Sequence, residues 1–263
     1  LIDVLYNDLR TLIIGKRYTS LILGYYNRGQ SFPHIIVNNV NGSIQSVMLP
    51  ALSAHQDNKK RVKEMMRRAI VTSSFLIFPM MIGMSVVAEP LIKLILTEKW
   101  LPAVPFIRIF CISYTLMPIH TANLQAVNAM GRSDMFLKLE IVKKIVGVVI
   151  LGLSLPFGIY ALAFSSIISG LVSSFINAYP NKRLLDYSYQ EQIKDIIPSL
   201  IISIIMGSIV YLINYLHIPT WQILILQIIA GAIIYFGLSK VFKLETFDYL
   251  IRTAKEFINT KKK

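Results

Sequence analysis

The chain has 263 residues, 54% of them hydrophobic and 16% charged, with a formal net charge of +13. Its single Cys, Cys111, excludes an intramolecular disulfide and a thiolate metal framework. The basic excess lacks the clustered face with stacking aromatics that nucleic-acid binding needs, so it is read as a topology signal.

Residues 71–87, 146–181, 196–216 and 221–239 carry no charge. A helix needs roughly 20 mostly apolar residues to cross a hydrocarbon core about 30 Å thick. Outer-membrane strands would alternate apolar and polar residues, whereas 200–205 (LIISII) and 223–230 (ILILQIIA) are apolar on every side. Helices satisfy their own backbone hydrogen bonds in lipid. The pattern therefore predicts an all-α polytopic membrane bundle. An ambiguous first segment within 3–26 is followed by helices near 33–54, 69–96, 103–129, 138–155, 159–180, 196–216 and 221–239, about eight in all.

The first third is polar for a lipid-facing segment. Asp3, Asn7, Asp8, Arg10, Lys16 and Arg17 lead to a polar, aromatic stretch, Gly24-Tyr25-Tyr26-Asn27-Arg28-Gly29-Gln30-Ser31-Phe32-Pro33, read as a turn. The helix after it places Asn38, Asn41, Gly42 and Gln45 on one stripe, with Asn39 and Ser46 nearby. Such a stripe either lines a polar cavity or bonds neighbouring helices. Arg10 is either a cavity cation or snorkels to headgroups; Tyr25 and Tyr26 are either an interfacial belt or sugar-stacking residues.

Further along, Arg108 near Pro102 and Pro105 is either interfacial or a cation at the outer mouth of a cavity. Asn123 and Gln125, about 200° apart on a helix, cannot line one cavity together with Asn128. His34, His55, His120 and His217 are scattered and read as helix-end or interfacial, giving no metal site. Ser165-Ser166 and Ser173-Ser174 are packing residues that let helices approach. No phosphate loop, nucleophile elbow or paired carboxylates occur, so no enzyme and no cofactor are expected.

Charge fixes the expected orientation. The links 57–68, 131–144 and 181–195 and the tail after 239 are basic, whereas 97–102, 155–158 and 217–220 hold only Lys99. The basic set is then cytoplasmic, and an even number of spans puts both ends there. The chain begins Leu-Ile-Asp, without an initiator Met, and is expected to be the C-terminal part of a longer protein.

Ile2-Asp3, Ile14-Gly15-Lys16 and Leu23-Gly24-Tyr25-Tyr26-Asn27-Arg28 resemble the start of the second half of oligosaccharide flippases of the multidrug/oligosaccharidyl-lipid/polysaccharide exporter superfamily. The resemblance continues through Leu49-Pro50-Ala51-Leu52-Ser53, Gln56-Asp57, Ala88-Glu89-Pro90-Leu91, Glu98-Lys99-Trp100-Leu101-Pro102-Ala103 and Gly131-Arg132-Ser133-Asp134, and looks most like the colanic-acid or lipopolysaccharide exporter type. Arg17-Tyr18 departs from the Leu-Gly that often follows the family's Gly-Lys pair, and adds a cation.

The resemblance implies the second of two pseudo-symmetric bundles at 1–189, with two final helices and a basic cytoplasmic tail at 190–263. It implies a multi-pass protein of the bacterial cytoplasmic membrane. Its cargo would be an undecaprenyl-diphosphate-linked oligosaccharide, moved by alternating access for exopolysaccharide, capsule or O-antigen synthesis. Polysaccharide polymerase and glycosyltransferases are the implied partners. A diphosphate glycan calls for cations and hydrogen-bonding side chains. Arg10, Lys16, Arg28 and Arg108 are the candidate cations, Asn38, Asn41 and Gln45 the glycan contacts, and Asp3 an ion-coupling carboxylate or the partner of a nearby cation. A multidrug or cation extruder of the same superfamily and a membrane-embedded glycan-processing enzyme are the alternatives.

Overall fold

The computed structural model describes the backbone of residues 2–260, and side chains from Leu9 to Arg252 together with Glu256. It is helical throughout, with no strand among the described residues. The α-helices are α1 (Ile2–Arg17), α2 (Ser20–Ser53), α3 (Lys59–Ile95), α4 (Val104–Tyr114), α5 (Met117–Ala129), α6 (Ser133–Ser154), α7 (Ile159–Leu185), α8 (Tyr189–Tyr211), α9 (Thr220–Val241) and α10 (Glu245–Thr260).

Five segments are long and apolar enough to cross a membrane: α3, α4 with α5 as one broken span (Glu98–Ala129), α7, α8 with its short extension to Tyr215, and α9. Helices also stand at the other expected positions, α1, α2 and α6, but α1, at 16 residues, is too short, and charges and amides keep α2 and α6 below that measure; α6 alone carries Lys138, Glu140, Lys143 and Lys144. These are the helices that need a protein neighbour or a polar space beside them.

The stretch 24–33 is not a turn. It lies inside α2, which runs unbroken from its Thr19 N-cap, whose hydroxyl accepts from the Ile22 N–H at 3.4 Å. Gly29 is there for closeness rather than for a bend: a Cβ at this position would lie 2.4 Å from the Phe106 Cβ of α4. Pro33 removes one backbone donor without stopping a helix already packed on both sides of it.

At 34 and 37 residues, α2 and α3 extend about 51 and 55 Å at the helical rise. They form an antiparallel hairpin around which the bundle is built. Val37 of α2, Ile77, Met81, Ala88 and Ile92 of α3, and Val104, Ile107 and Cys111 of α4 make one core. Met48, Leu52, Val62, Met66 and Ile70 join α5 residues in a second. Gly207 of α8 sits against Ile82 of α3, where a Cβ would approach within 2.4 Å, and so brings the last helices onto the bundle.

The α4–α5 span breaks in its middle. The Thr115 amide and hydroxyl both donate to the Ile112 carbonyl, at 3.3 and 2.6 Å, and α5 restarts with Pro118 in its first turn. A broken backbone at this depth is tolerated where protein or a water-filled cavity covers it.

Candidate functional site

Two polar regions meet along α2. The first starts at Arg10, half-buried on α1, whose Nη2 donates to the buried Ser165 Oγ of α7 at 3.1 Å. Leu9, Ile13 and Ile14, neighbours of Arg10 on α1, pack in one cluster with Tyr26 and Tyr114. Gln30 Nε2 donates to the Tyr114 hydroxyl at 3.1 Å, the His34 ring lies 5.9 Å from that of Tyr114, and Asn38 Nδ2 meets the His34 ring nitrogens at 3.2 and 3.3 Å. Gln30, His34 and Asn38 recur every four residues, so α2 presents them as a ladder. The ladder runs from the bundle interior at Arg10 to the open face of α2.

The second region is a cavity of about 480 Å³ between α2, α5, α6 and α7. Gln45, His120, Gln125, Asn128, Lys143 and Asn177 are among its lining residues. Asn177 Nδ2 donates to His120 Nδ1 at 3.2 Å and His120 Nε2 lies 3.1 Å from the Gly170 carbonyl, so the ring holds its proton on Nε2. Glu140 accepts from Lys143 at 2.5 Å and lies 3.9 Å from Lys144. Among the described residues, Gln125 Oε1 and Asn177 Oδ1 are buried without a hydrogen-bond partner. Both are acceptors, so what they lack is a donor such as a hydroxyl or an ammonium. Asn41 Oδ1, one turn before Gln45 on α2, is in the same position.

Around these regions polar groups serve the scaffold. Asn123, fully buried, donates through Nδ2 to Gln192 Oε1 at 2.7 Å. Its Oδ1 accepts from Gln192 Nε2 at 3.1 Å and from Asn181 Nδ2 at 2.8 Å. This lock ties α5, α7 and α8, and its direction away from Gln125 and Asn128 agrees with the helical-wheel argument. On the basic side, Arg67 grips Asp195 through two bonds of 2.8 and 2.9 Å, and Lys63 bonds the Asp186 carbonyl and Glu191. Burial and the neighbouring Asp195 push the Tyr187 phenol well above its usual range, so it remains a donor to Asp195 at 2.7 Å.

The sequence-derived candidates therefore divide. Arg10 and Asn38 lie on the ladder, Asn41 and Gln45 lead from it to the cavity. Arg28 does not join them: its guanidinium lies 5.6 Å from the Trp100 ring centroid, in the corner where the Tyr25 hydroxyl donates to the Lys99 carbonyl at 3.2 Å. Arg108 Nε donates to the Ser85 carbonyl of α3 at 3.3 Å. It stands about 160° around α4 from both Phe106 and Phe110, which pack on Tyr26 of α2, and so faces away from α2. Lys16 is exposed in the last turn of α1 beside Arg17, at the end of α2 opposite the basic link 57–68. Asp3 lies in α1, but its side chain is outside the described residues.

Gln30, Tyr114 and Asn177 are contributors that the sequence reading did not single out, while His34 and His120 were read as helix-end or interfacial and Ser165 as a packing residue. His34 stands in the middle of α2 rather than at a helix end, and His120 lies in the first turn of α5, within the broken span. The spacing of Gln30, His34 and Asn38 was a usable signal, hidden by the assignment of 24–33 to a turn.

Comparison with known proteins agrees with this architecture. Residues 1–105 match a family described as polysaccharide biosynthesis protein. The chain is 24% identical over 266 residues to the teichuronic acid biosynthesis protein TuaB of Bacillus subtilis, an alignment covering 97% of this chain and 54% of that protein. It is 22% identical over 219 residues to the lipopolysaccharide biosynthesis protein WzxC of Escherichia coli, covering 79% of this chain and 44% of that one. An uncharacterized membrane protein of the Klebsiella pneumoniae cps region is 23% identical over 67% of this chain and 34% of its own. The chain thus spans about half, or less, of the length of these relatives. A solved structure of the lipid II flippase MurJ, in an inward closed conformation, superposes with a TM-score of 0.75 at 16% identity, over 90% of this chain and 51% of that one. By fold, then, this is a multi-pass membrane helical bundle similar to that of the lipid II flippase structure, and by sequence the chain is similar to polysaccharide biosynthesis proteins.

Proposed function

We propose that the chain forms one half of a transporter that moves a lipid-linked oligosaccharide, an undecaprenyl-diphosphate glycan, across the bacterial cytoplasmic membrane, and that it performs no covalent chemistry. The observation that carries this reading is the ladder from Arg10 to Asn38, continued by Asn41 and Gln45 into a cavity with unmet acceptors. A diphosphate headgroup needs a fixed cation, and sugars need amides that give and take hydrogen bonds. Arg10 supplies the first, Gln30, Asn38, Gln45 and Gln125 the second. Lys16 and Arg28, off the ladder, act at the outer approach to this path, Arg108 acts from the far side of α4 at the same end, and Asp3 couples an ion. The names of WzxC, TuaB and the lipid II flippase support the same class of cargo. Residues 1–189 act as the transport bundle and 190–263 as an added helical pair with its C-terminus in the cytoplasm.

The test uses the full-length protein in liposomes with a fluorescent undecaprenyl-diphosphate oligosaccharide. Arg10→Ala is expected to slow transbilayer movement about tenfold or more, the loss of one charge-assisted hydrogen bond in a protected site. Wild-type protein that releases cationic dyes while moving no lipid-linked glycan would replace this reading with the drug-extruder one.

A further inference from the structure

A second cavity, about 790 Å³, opens on the basic side of the bundle between the ends of α3, α8 and the α9–α10 corner. Arg67, Arg68, Lys194, Lys243 and Arg252 line it, with Glu64, Asp195, Glu245 and Asp248. Two of those carboxylates are already engaged: Asp195 by Arg67 and the Tyr187 hydroxyl, and Glu64 by Arg61 at 3.8 Å. Arg68 lies over the Tyr249 ring at 5.1 Å, which leaves its N–H edges unused by that contact. Lys194 and Lys243 make no ion pair among the described residues. Arg68, Lys194, Lys243 and Arg252 thus share the space with Glu245 and Asp248; Arg252 Nε donates to the Asp248 backbone carbonyl at 3.3 Å, and the Glu245 charge also acts on Arg67.

Lys243 adds an observation of its own. It turns the corner between α9 and α10 with φ of 49°, in the left-handed region, where glycine would be less strained. A lysine held there carries a charge to the cavity that glycine would not. The corner follows directly on the end of the candidate span α9. Val241 and Phe242 are exposed just before it, and Ile197 and Ile201 are exposed beside the lining residue Pro198. Meanwhile Phe247 and Leu250 of α10 pack back against the bundle, with the Phe247 ring 6.2 Å from Phe236. A basic pocket with apolar surface directly above it has the two parts needed by a headgroup and its acyl chains.

We propose that this cavity binds the headgroup of a membrane phospholipid, with Arg68, Lys194 and Lys243 around its phosphate and acyl chains along the exposed side of α8 and α9. Glu245 and Asp248 then accept hydrogen bonds from the glycerol hydroxyls of phosphatidylglycerol, whose net negative charge, absent from phosphatidylcholine, meets the cations of the cavity. The site is separate from the transport path and does not depend on what that path carries.

The test measures thermal unfolding of the detergent-purified full-length protein with added phosphatidylglycerol, phosphatidylcholine, or inorganic phosphate at matched concentration. Phosphatidylglycerol is expected to raise the midpoint by several degrees and phosphatidylcholine by much less. Lys194→Gln and Lys243→Gly should each remove a large part of that shift. Because Lys243→Gly also eases the backbone, its midpoint without lipid should not fall, which separates a lost ligand from a damaged fold. Equal shifts from both lipids, a shift that survives both substitutions, or an equal shift from inorganic phosphate alone would overturn the assignment.

Discussion

Single residues show where polarity serves the scaffold and where it is left over. Asn123 and Gln192 use their amides on each other and on Asn181, so the trio holds three helices together. Gln192→Ala would leave Asn123 buried with one partner fewer and is expected to destabilise the bundle by about 1–3 kcal/mol, seen as an earlier thermal or denaturant midpoint in detergent. Gln125 and Asn177, by contrast, keep acceptors with nothing to bond inside the protein. Sequence alone made the stripe of Asn38, Asn41 and Gln45 visible, because α2 repeats it at helical spacing. It could not separate Asn123 from Gln125 by role, only by direction, since a locking amide and a lining amide look the same until their partners are placed. Tyr114 was invisible, and Ser165 was read only as a packing residue, for a related reason: they come to the ladder from other helices.

At the scale of elements, the apolar runs located the spanning helices well, and the pauses at 155–158 and 217–220 stand where links were expected. The α4–α5 break and the continuity of α2 were not legible. Gly24, Gly29 and Pro33 together look like a turn, yet α2 and α4 press so closely that Gly29 acts as a contact point. Gly29→Ala is therefore expected to cost about 1–3 kcal/mol by overpacking against Phe106, detectable as a lower unfolding midpoint, whereas Gly42→Ala, with open space around its Cβ position, should leave it unchanged or raise it. The pair is a direct check on α2 being one rod.

The whole molecule carries its charge unevenly along the membrane normal. Basic links gather at one end of the α2–α3 hairpin, while Lys16, Arg17, Arg28 and Lys99 occupy the other. If the basic links mark the cytoplasm, single cysteines placed at Asn58 and Thr19 should react with a membrane-impermeant maleimide from opposite faces of sealed cells, the Thr19 site from outside. Cys111, buried in α4, should stay unlabelled. The break in the α4–α5 span has a mechanical meaning at this scale. A span jointed halfway is two short levers rather than one beam. The upper lever is keyed to Gly29 and the aromatic cluster around Tyr26, while the lower one, 13 residues from Met117 on, walls the cavity beside Gln125 and Asn128. Motion of the lower lever would reshape that space without turning the bundle, so the moving part of this machine can be as small as three and a half turns of helix.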